Sequence, residues 1–316
     1  GLACFIEQSG VFNERMSLHF QPDGSLTIVA GTLSHGQGHA TVYAQMASSW
    51  LGIAFERIRL VQGDTDAVPI GRGTFAARSM LLGGSALRVA ADRLVERARP
   101  MAARLLEAAE ADVAFEAGCF RVMGTDRVTT LEAVARACHA PHGLGAGGLG
   151  LEASGSWEAD PACFPNGCHA CEVDVDPETG VVRIERYVAV DDAGRVINPL
   201  LCEGQIHGGI AQGIGQAVLE RIVHDPDSGQ LLSGSFLDYA MPRADDLPAF
   251  VSELVEVPST TNPIGVKGVG ESGAIGAPAA VINALMDALR RRGVTHFDMP
   301  ATPERVWRAL ATATGT

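Results

Sequence analysis

Apolar and polar positions alternate along Met16 to Phe20 and again along Ser25 to Ala30. The tetrad between them, Gln21-Pro22-Asp23-Gly24, carries proline and glycine where a tight turn wants them, so the pattern predicts a β-hairpin. After the loop Gly31 to His39, Val42, Met46 and Trp50 recur every fourth residue, which predicts an amphipathic helix stopped at Gly52. Ile58 to Val61 reads as a strand and Gly63 to Ser79 as a polar, glycine-bearing loop. Gly84 to Ala109 reads as an Ala/Leu/Arg helix that Pro100 kinks or splits. Thr129 followed by Glu132 resembles a capping box for a helix ending near Cys138.

The glycine-rich stretch His139 to Gly155 has no periodicity, and it is the expected boundary between a first lobe, residues 1–156, and a second, residues 157–316. The second lobe restarts as β: Cys171 to Val175 and Val181 to Val190 flank the turn Asp176-Pro177-Glu178-Thr179-Gly180. Asn198-Pro199 opens a helix reaching Leu219, in which Gly204, Gly208, Gly209 and Gly213 fall at helical spacing and leave a bare face for close approach to the backbone. Phe250 to Val257 is expected as a strand, and Ala277 to Arg292 as a helix closed by a basic last turn and Gly293. The class expected is α+β in two lobes, without internal repeats.

Composition narrows the function. A hydrophobic fraction of 47% excludes disorder, and 37 acids against 24 Lys and Arg give a net charge of −13, which repels nucleic acid and anionic membrane surfaces. The weakly charged stretch Pro199 to Leu219 carries Glu203, Gln205, His207, Gln212 and Gln216 and is unsuited to face lipid. No basic start followed by an apolar run opens the chain, and the seven cysteines are an odd number, so reduced thiols in a cytoplasmic protein are expected.

Three constellations could carry chemistry. The loop Gly31 to His39 lies between a strand and a helix, and reads either as an ordinary glycine turn or as an anion cradle built on Gly36, Gly38 and the following helix start. The segment Gly265 to Gly276 sets one carboxylate, Glu271, among apolar and backbone-only neighbours, either as a general base or as a helix-capping acid. Cys163, Cys168 and Cys171, with Cys202 further on, imitate a plant-type [2Fe-2S] spacing, but a strand through Cys168 and Cys171 turns them to opposite faces, so no iron-sulfur cluster is expected in this chain. The histidines lack paired ligand spacing, so no metal-ligating residue is assigned, and no serine nucleophile elbow is present.

Taken in order, these segments resemble the C-terminal half of the molybdopterin-binding subunit in the xanthine oxidase and aldehyde oxidoreductase family of molybdenum hydroxylases. The resemblance is carried by Gly36-Gln37-Gly38-His39, by Gly63-Asp64-Thr65-Asp66 leading into Gly73-Thr74-Phe75-Ala76-Ala77-Arg78-Ser79, and by Glu172-Val173-Asp174 and Asn198-Pro199. Gln205, Gln212-Gly213-Ile214-Gly215, Lys267-Gly268-Val269-Gly270-Glu271 and Pro300-Ala301-Thr302-Pro303-Glu304 complete it. It implies a molybdopterin with molybdenum, in the cytosine dinucleotide form common among bacterial members. It implies that Glu271 is the base beside the metal and that Gln212 lies near both. Gly36, Gln37, Gly38 and His39, with Ala76, Ala77, Arg78 and Ser79, match loops that hold the pterin and its phosphates, and Lys267, Gly268, Val269 and Gly270 lead into the base.

The reaction implied is oxidation of an aldehyde or N-heterocycle with water as the oxygen source. The family's preceding half, with its Phe-Gly-Gly and Arg-bearing loops, has no counterpart in these residues, so the expected partners are that complementary half and the iron-sulfur and FAD subunits or domains that carry electrons away. The competing class is a non-catalytic interaction or scaffold subunit with the same fold.

Overall fold

A computed structural model describes residues 1–140 and 150–314. The chain divides into two compact units: one of Ser9–Cys163 with Ser259–Val266, the other of Gly1–Gln8, Phe164–Pro258 and Lys267 onward. The expected lobe boundary after residue 156 differs from this division in its position. It would cut the strand Glu152–Glu158, whose Trp157 and Glu158 pair with Glu14 and Asn13. Residues 141–149 of the expected linker lie outside the described residues.

The first strand, β1 (Leu2–Ile6), belongs to the second unit. In the first unit, β2 (Asn13–Phe20) and β3 (Leu26–Ala30) form the expected hairpin, Met16 opposite Ala30 and Phe20 opposite Leu26. Alternate residues of β2 are buried, so the register puts Met16, Leu18 and Phe20 into the core together. Helix α1 (His39–Leu51) ends on Gly52 in the left-handed region, as its sequence requires. Strand β4 (Ile58–Val61) runs parallel to β3.

A π-type turn, Ser79–Gly84, feeds α2 (Ser85–Leu105), whose Pro100 does not split it; the proline lies in the last turns, where one missing backbone bond is tolerated. A small meander follows, of β5 (Val113–Glu116), β6 (Cys119–Val122) and β7 (Val128–Thr130), then α3 (Leu131–His139). The α3 cap is Thr130 rather than Thr129: its Oγ1 accepts from Ala133 N at 3.1 Å, and Thr129 belongs to β7. Strand β8 (Glu152–Glu158) completes the four-stranded sheet β4-β3-β2-β8. Its Gly155 leaves room for the α2 backbone, since a Cβ there would stand 2.3 Å from Ala86 O.

In the second unit β1 pairs with β9 (Asn166–Val175), which forms an antiparallel hairpin with β10 (Val182–Asp192). Helix α4 (Pro199–Val218) starts as expected, with Asn198 Oδ1 accepting from Leu201 N at 3.1 Å. Strand β11 (Phe250–Val255) lies parallel to β10, giving the order β1-β9-β10-β11. Helix α5 (Ser272–Arg290) begins five residues before the expected Ala277, and α6 (Pro303–Thr314) was not foreseen. The core joins Tyr187 and Ala189 of β10 to Ile206, Ile210 and Ile214 of α4, Val281 and Leu285 of α5, and Val306 of α6. By length and composition α5 alone among the described helices could cross a membrane, and half of its apolar window is buried inside the protein.

Candidate functional site: two glycine loops and a paired glutamate

In the first unit the structure brings the two sequence-predicted loops together. Arg72 N and Gly73 N both donate to Gly31 O at 3.1 Å, and Thr74 Oγ1 donates to Leu33 O at 2.7 Å. Gly36 and Gly38 take φ of 114° and 81°, conformations that an L side chain rarely adopts. Gln37 folds back on its own loop: its Nε2 donates to Leu33 O at 3.2 Å and its Oε1 accepts from His35 N. Helix α1 starts after Gly38 with no side-chain cap on its first turn.

His39 is buried, with Nδ1 3.4 Å from the Gln62 side-chain amide and Nε2 without a partner; burial holds its pKa below the usual histidine value. A Cβ added at Gly36 or at Gly73 meets no atom within 4 Å, so the loops present open backbone.

Ala76 and Ala77 stand at φ of 49° and 47°, a strained pair for residues with a Cβ. Arg78 holds them there. Its guanidinium, fully buried, donates to Glu14 Oε2 at 2.7 Å, to Gly73 O at 2.8 Å and to Asn13 O at 2.6 Å. Gly31 admits that carboxylate, because a Cβ there would lie 2.3 Å from Glu14 Oε1. Arg78 is thus spent on the framework, and what its segment offers a ligand is backbone and Ser79, whose Oγ lies 2.8 Å from Thr74 Oγ1.

In the second unit Glu271 occupies the N-cap position of α5, yet its carboxylate accepts no capping bond. The helix-capping reading fails on this geometry. The segment before it is pinned by Lys267, whose Nζ donates to Asp192 Oδ2 and whose amide donates to Ala193 O at 2.9 Å. Asp192, held below the usual carboxylate range by Lys267 and backbone amides against its burial, also accepts from Gly194 N at 2.9 Å. Gly268 is buried and Gly270 exposed, with Gln205 Oε1 3.9 Å from where its Cβ would be. Gln205, Gly208 and Gln212 lie three and four residues apart on one face of α4.

The four α4 glycines at helical spacing, Gly204, Gly208, Gly209 and Gly213, do different things. Gly209 and Gly213 let α5 approach, since added Cβ atoms would stand 2.9 Å from Ala274 N and 2.7 Å from Ala277 Cβ. Only Gly204 and Gly208 remain open, with nothing within 4 Å, so the bare face is narrower than the sequence spacing implied.

The cysteine spacing resolves into separate environments: Cys163 is buried, while Cys168 is exposed and Cys171 buried on opposite faces of β9. Among the described residues no group of three or more His, Cys, Asp or Glu side chains is arranged to hold a metal ion.

Sequence reasoning missed Glu14, Asp192 and Glu7. Glu7 follows β1, and its side chain meets Glu271. No local signal marks it, because 264 residues separate the two glutamates.

An α+β chain with glycine loops at a helix start and an uncapped glutamate at another has the architecture of a molybdenum-cofactor-binding domain. The solved CO dehydrogenase from Oligotropha carboxidovorans overlays it with a TM-score of 0.89 at 34% identity, covering 100% of this chain and 41% of that one. The chain belongs to the molybdopterin cofactor-binding domain family, whose model matches residues 1–248, and with it to the molybdopterin-binding large subunits of the xanthine oxidase family. It is 39% identical to the nicotine 6-hydroxylase large subunit of Paenarthrobacter nicotinovorans over 98% of its own length and 40% of that protein's. It is 38% identical to the carbon monoxide dehydrogenase large chain of Hydrogenophaga pseudoflava over 97% and 38%. The chain thus spans about two-fifths of the length of these relatives.

Proposed function

We propose that this chain is the glutamate-bearing part of a molybdenum hydroxylase that oxidises an aldehyde or N-heterocycle with water as the oxygen source. The observation that carries the reading is Glu271: a carboxylate at a helix start, on a segment anchored by Lys267 and Asp192, that caps nothing. A residue kept for structure would be bonded to the helix it begins.

The loops of the first unit fit the group. Open backbone at Gly36 and Gly73, the uncapped α1 start and the orphaned His39 Nε2 suit an anionic, hydrogen-bonding ligand that must approach the main chain closely. In this reading Gly36, Gln37, Gly38 and His39, with Ala76, Ala77 and Ser79, hold the pterin and its phosphates, in the cytosine dinucleotide form, and Arg78 keeps the second loop in shape.

When bound, the molybdenum cofactor supplies the two-electron acceptor and activates water. Glu271 would accept a proton from water at its carboxylate. Lys267, held by Asp192, would anchor residues 268–270 ahead of Glu271. Gln212 and Gln205 offer amide groups on the α4 face beside Gly208.

The partners in this reading are the complementary molybdenum-binding half and iron-sulfur and FAD subunits or domains, in the cytoplasm. The relatives' names, a large subunit, a large chain and a complex subunit gamma, support a multi-chain assembly.

The test is Glu271→Gln in the complete assembly. Molybdenum and nucleotide content should be kept, while turnover per molybdenum falls by about 100- to 10,000-fold, the usual range for loss of a general base. Turnover above about a tenth of wild type, outside that range, would leave cofactor binding without catalysis by Glu271 and favour the scaffold class.

A further inference from the structure

Helix α5 and strand β1 pack along each other in a way that delivers one carboxyl to the other. Position Gly1 sits against the middle of α5, where a Cβ would stand 2.2 Å from Ala284 N and 2.3 Å from Ala280 O. Asn283 Nδ2 reaches Leu2 O at 2.8 Å. From there β1 runs towards the α5 N-terminus. Six residues of strand advance about 20 Å, and the eleven helical residues back to Glu271 span about 17 Å. Glu7, anchored by its amide to Pro165 O at 3.0 Å, therefore arrives beside Glu271.

The encounter leaves a specific mark: Glu7 Oε2 is buried with no hydrogen-bond partner. Two acceptor-only carboxylates cannot bond each other, and a buried lone pair facing another is repulsive, so one proton between them is what makes the contact favourable. The α5 start favours the negative charge on Glu271, which leaves the proton to Glu7.

We propose that Glu7 is a positioning residue for Glu271: it carries the proton of the pair, donates a hydrogen bond to one Glu271 oxygen and leaves the other free to accept a proton. This deepens the proposed function and rests on Glu271 being the base.

The surroundings agree. Burial first, and Glu271 second, push the Glu7 carboxyl up to about 8. No cation offsets Glu271 at Glu7 among the described residues. Of the titratable groups on the packed elements, the free thiols of Cys168 on β9 and Cys4 on β1 face each other, and His169 of β9 lies buried against Tyr187 and Asp191. On α5, Asp287 faces Arg291 and Arg290 lies in the far last turn.

The experiment compares Glu7→Gln and Glu7→Ala in the complete assembly. An amide still donates to Glu271, so Glu7→Gln should keep turnover within about threefold, whereas Glu7→Ala frees the base and should lower kcat by about 10- to 100-fold, the scale of a misplaced catalytic group, with KM little changed. Wild-type kcat should decline as pH rises through about 8, where Glu7 ionises and the donor is lost, and Glu7→Gln should lack that limb.

A second readout needs no turnover: infrared difference spectra of the cofactor-free assembly should show a protonated-carboxyl stretch at pH 7 that titrates near 8 and is absent from Glu7→Gln. Absence of that band, or an unchanged basic limb in Glu7→Gln, overturns the proposal. If instead Glu271→Gln retains turnover while the band still titrates, the assignment of the base has failed and the positioning role goes with it, although the proton-sharing pair stands.

Discussion

The same substitution at two glycines of the α4–α5 pair should move stability in opposite directions. At Gly208 an added Cβ meets nothing within 4 Å, so Gly208→Ala in the cofactor-free subunit gains helix propensity alone, about 1 kcal/mol. At Gly273, in the first turn of α5, the new Cβ would stand 2.3 Å from Ile206 O and 2.5 Å from Ile210 N. These are backbone atoms of α4, so no rotamer change relieves the clash. The helices must separate by about 1 Å or more to restore ordinary contact, and overpacking of that kind has a net cost of about 1–3 kcal/mol.

The two variants should therefore differ by about 2–4 kcal/mol, a factor of roughly 30 to 1,000 in the folding equilibrium. Denaturant midpoints of the complete subunit, with slopes checked for constancy, measure it. Equal shifts, or a Gly273→Ala protein as stable as wild type, would show that α4 and α5 do not approach by way of these glycines. Cofactor loading adds a second axis: Gly208 lies on the face with Gln205 and Gln212, so its variant should be the more stable protein and the poorer binder.

Two further outcomes follow from buried groups in the same unit. Gly276→Ala should destabilise by about 2–4 kcal/mol, because its Cβ would lie 2.3 Å from His169 Nδ1 and displace a ring bonded to Tyr187 at 2.8 Å and to Asp191 at 3.2 Å, leaving two buried partners unmet; calorimetry showing an unchanged midpoint would refute it. Glu7 holds its proton up to about 8 when folded, against an ordinary 4.5, so the folded state binds more protons across that window and stability falls as pH rises through it. Glu7→Gln should remove this slope, and thermal midpoints that run parallel for wild type and variant from pH 5 to 8 would refute the raised value.

The elements legible in the sequence were those whose signals are local. The β2–β3 and β9–β10 hairpins carry their turn residues between alternating runs, and α4 announces itself with Asn198-Pro199. Strand β8 was read as linker because its middle, Ser154-Gly155-Ser156, is small and polar, yet that glycine is the condition for α2 to lie against the sheet. The start of α5 was placed too late because Gly273 and Gly276 read as loop, whereas they are what the neighbouring α4 backbone and the His169 ring require. In each case a residue unfavourable to its own element was fixed by a partner distant in the chain.

The site divides along the same line. Gly36, Gly38 and Glu271 were visible because backbone approach and an isolated carboxylate leave a local pattern, while Arg78 was visible only as part of a loop matched by resemblance, and its burial against Glu14 and three carbonyls makes it a brace. Glu7 left no trace at all. A carboxyl acquires its role there only from burial and from a second carboxyl 264 residues away, and both are properties of the packed chain. If Glu271 is the base, the group that decides how it is held and when it can act is therefore supplied by the residue that follows β1, which ties the chemistry of the α5 start to the seating of β1 against α5.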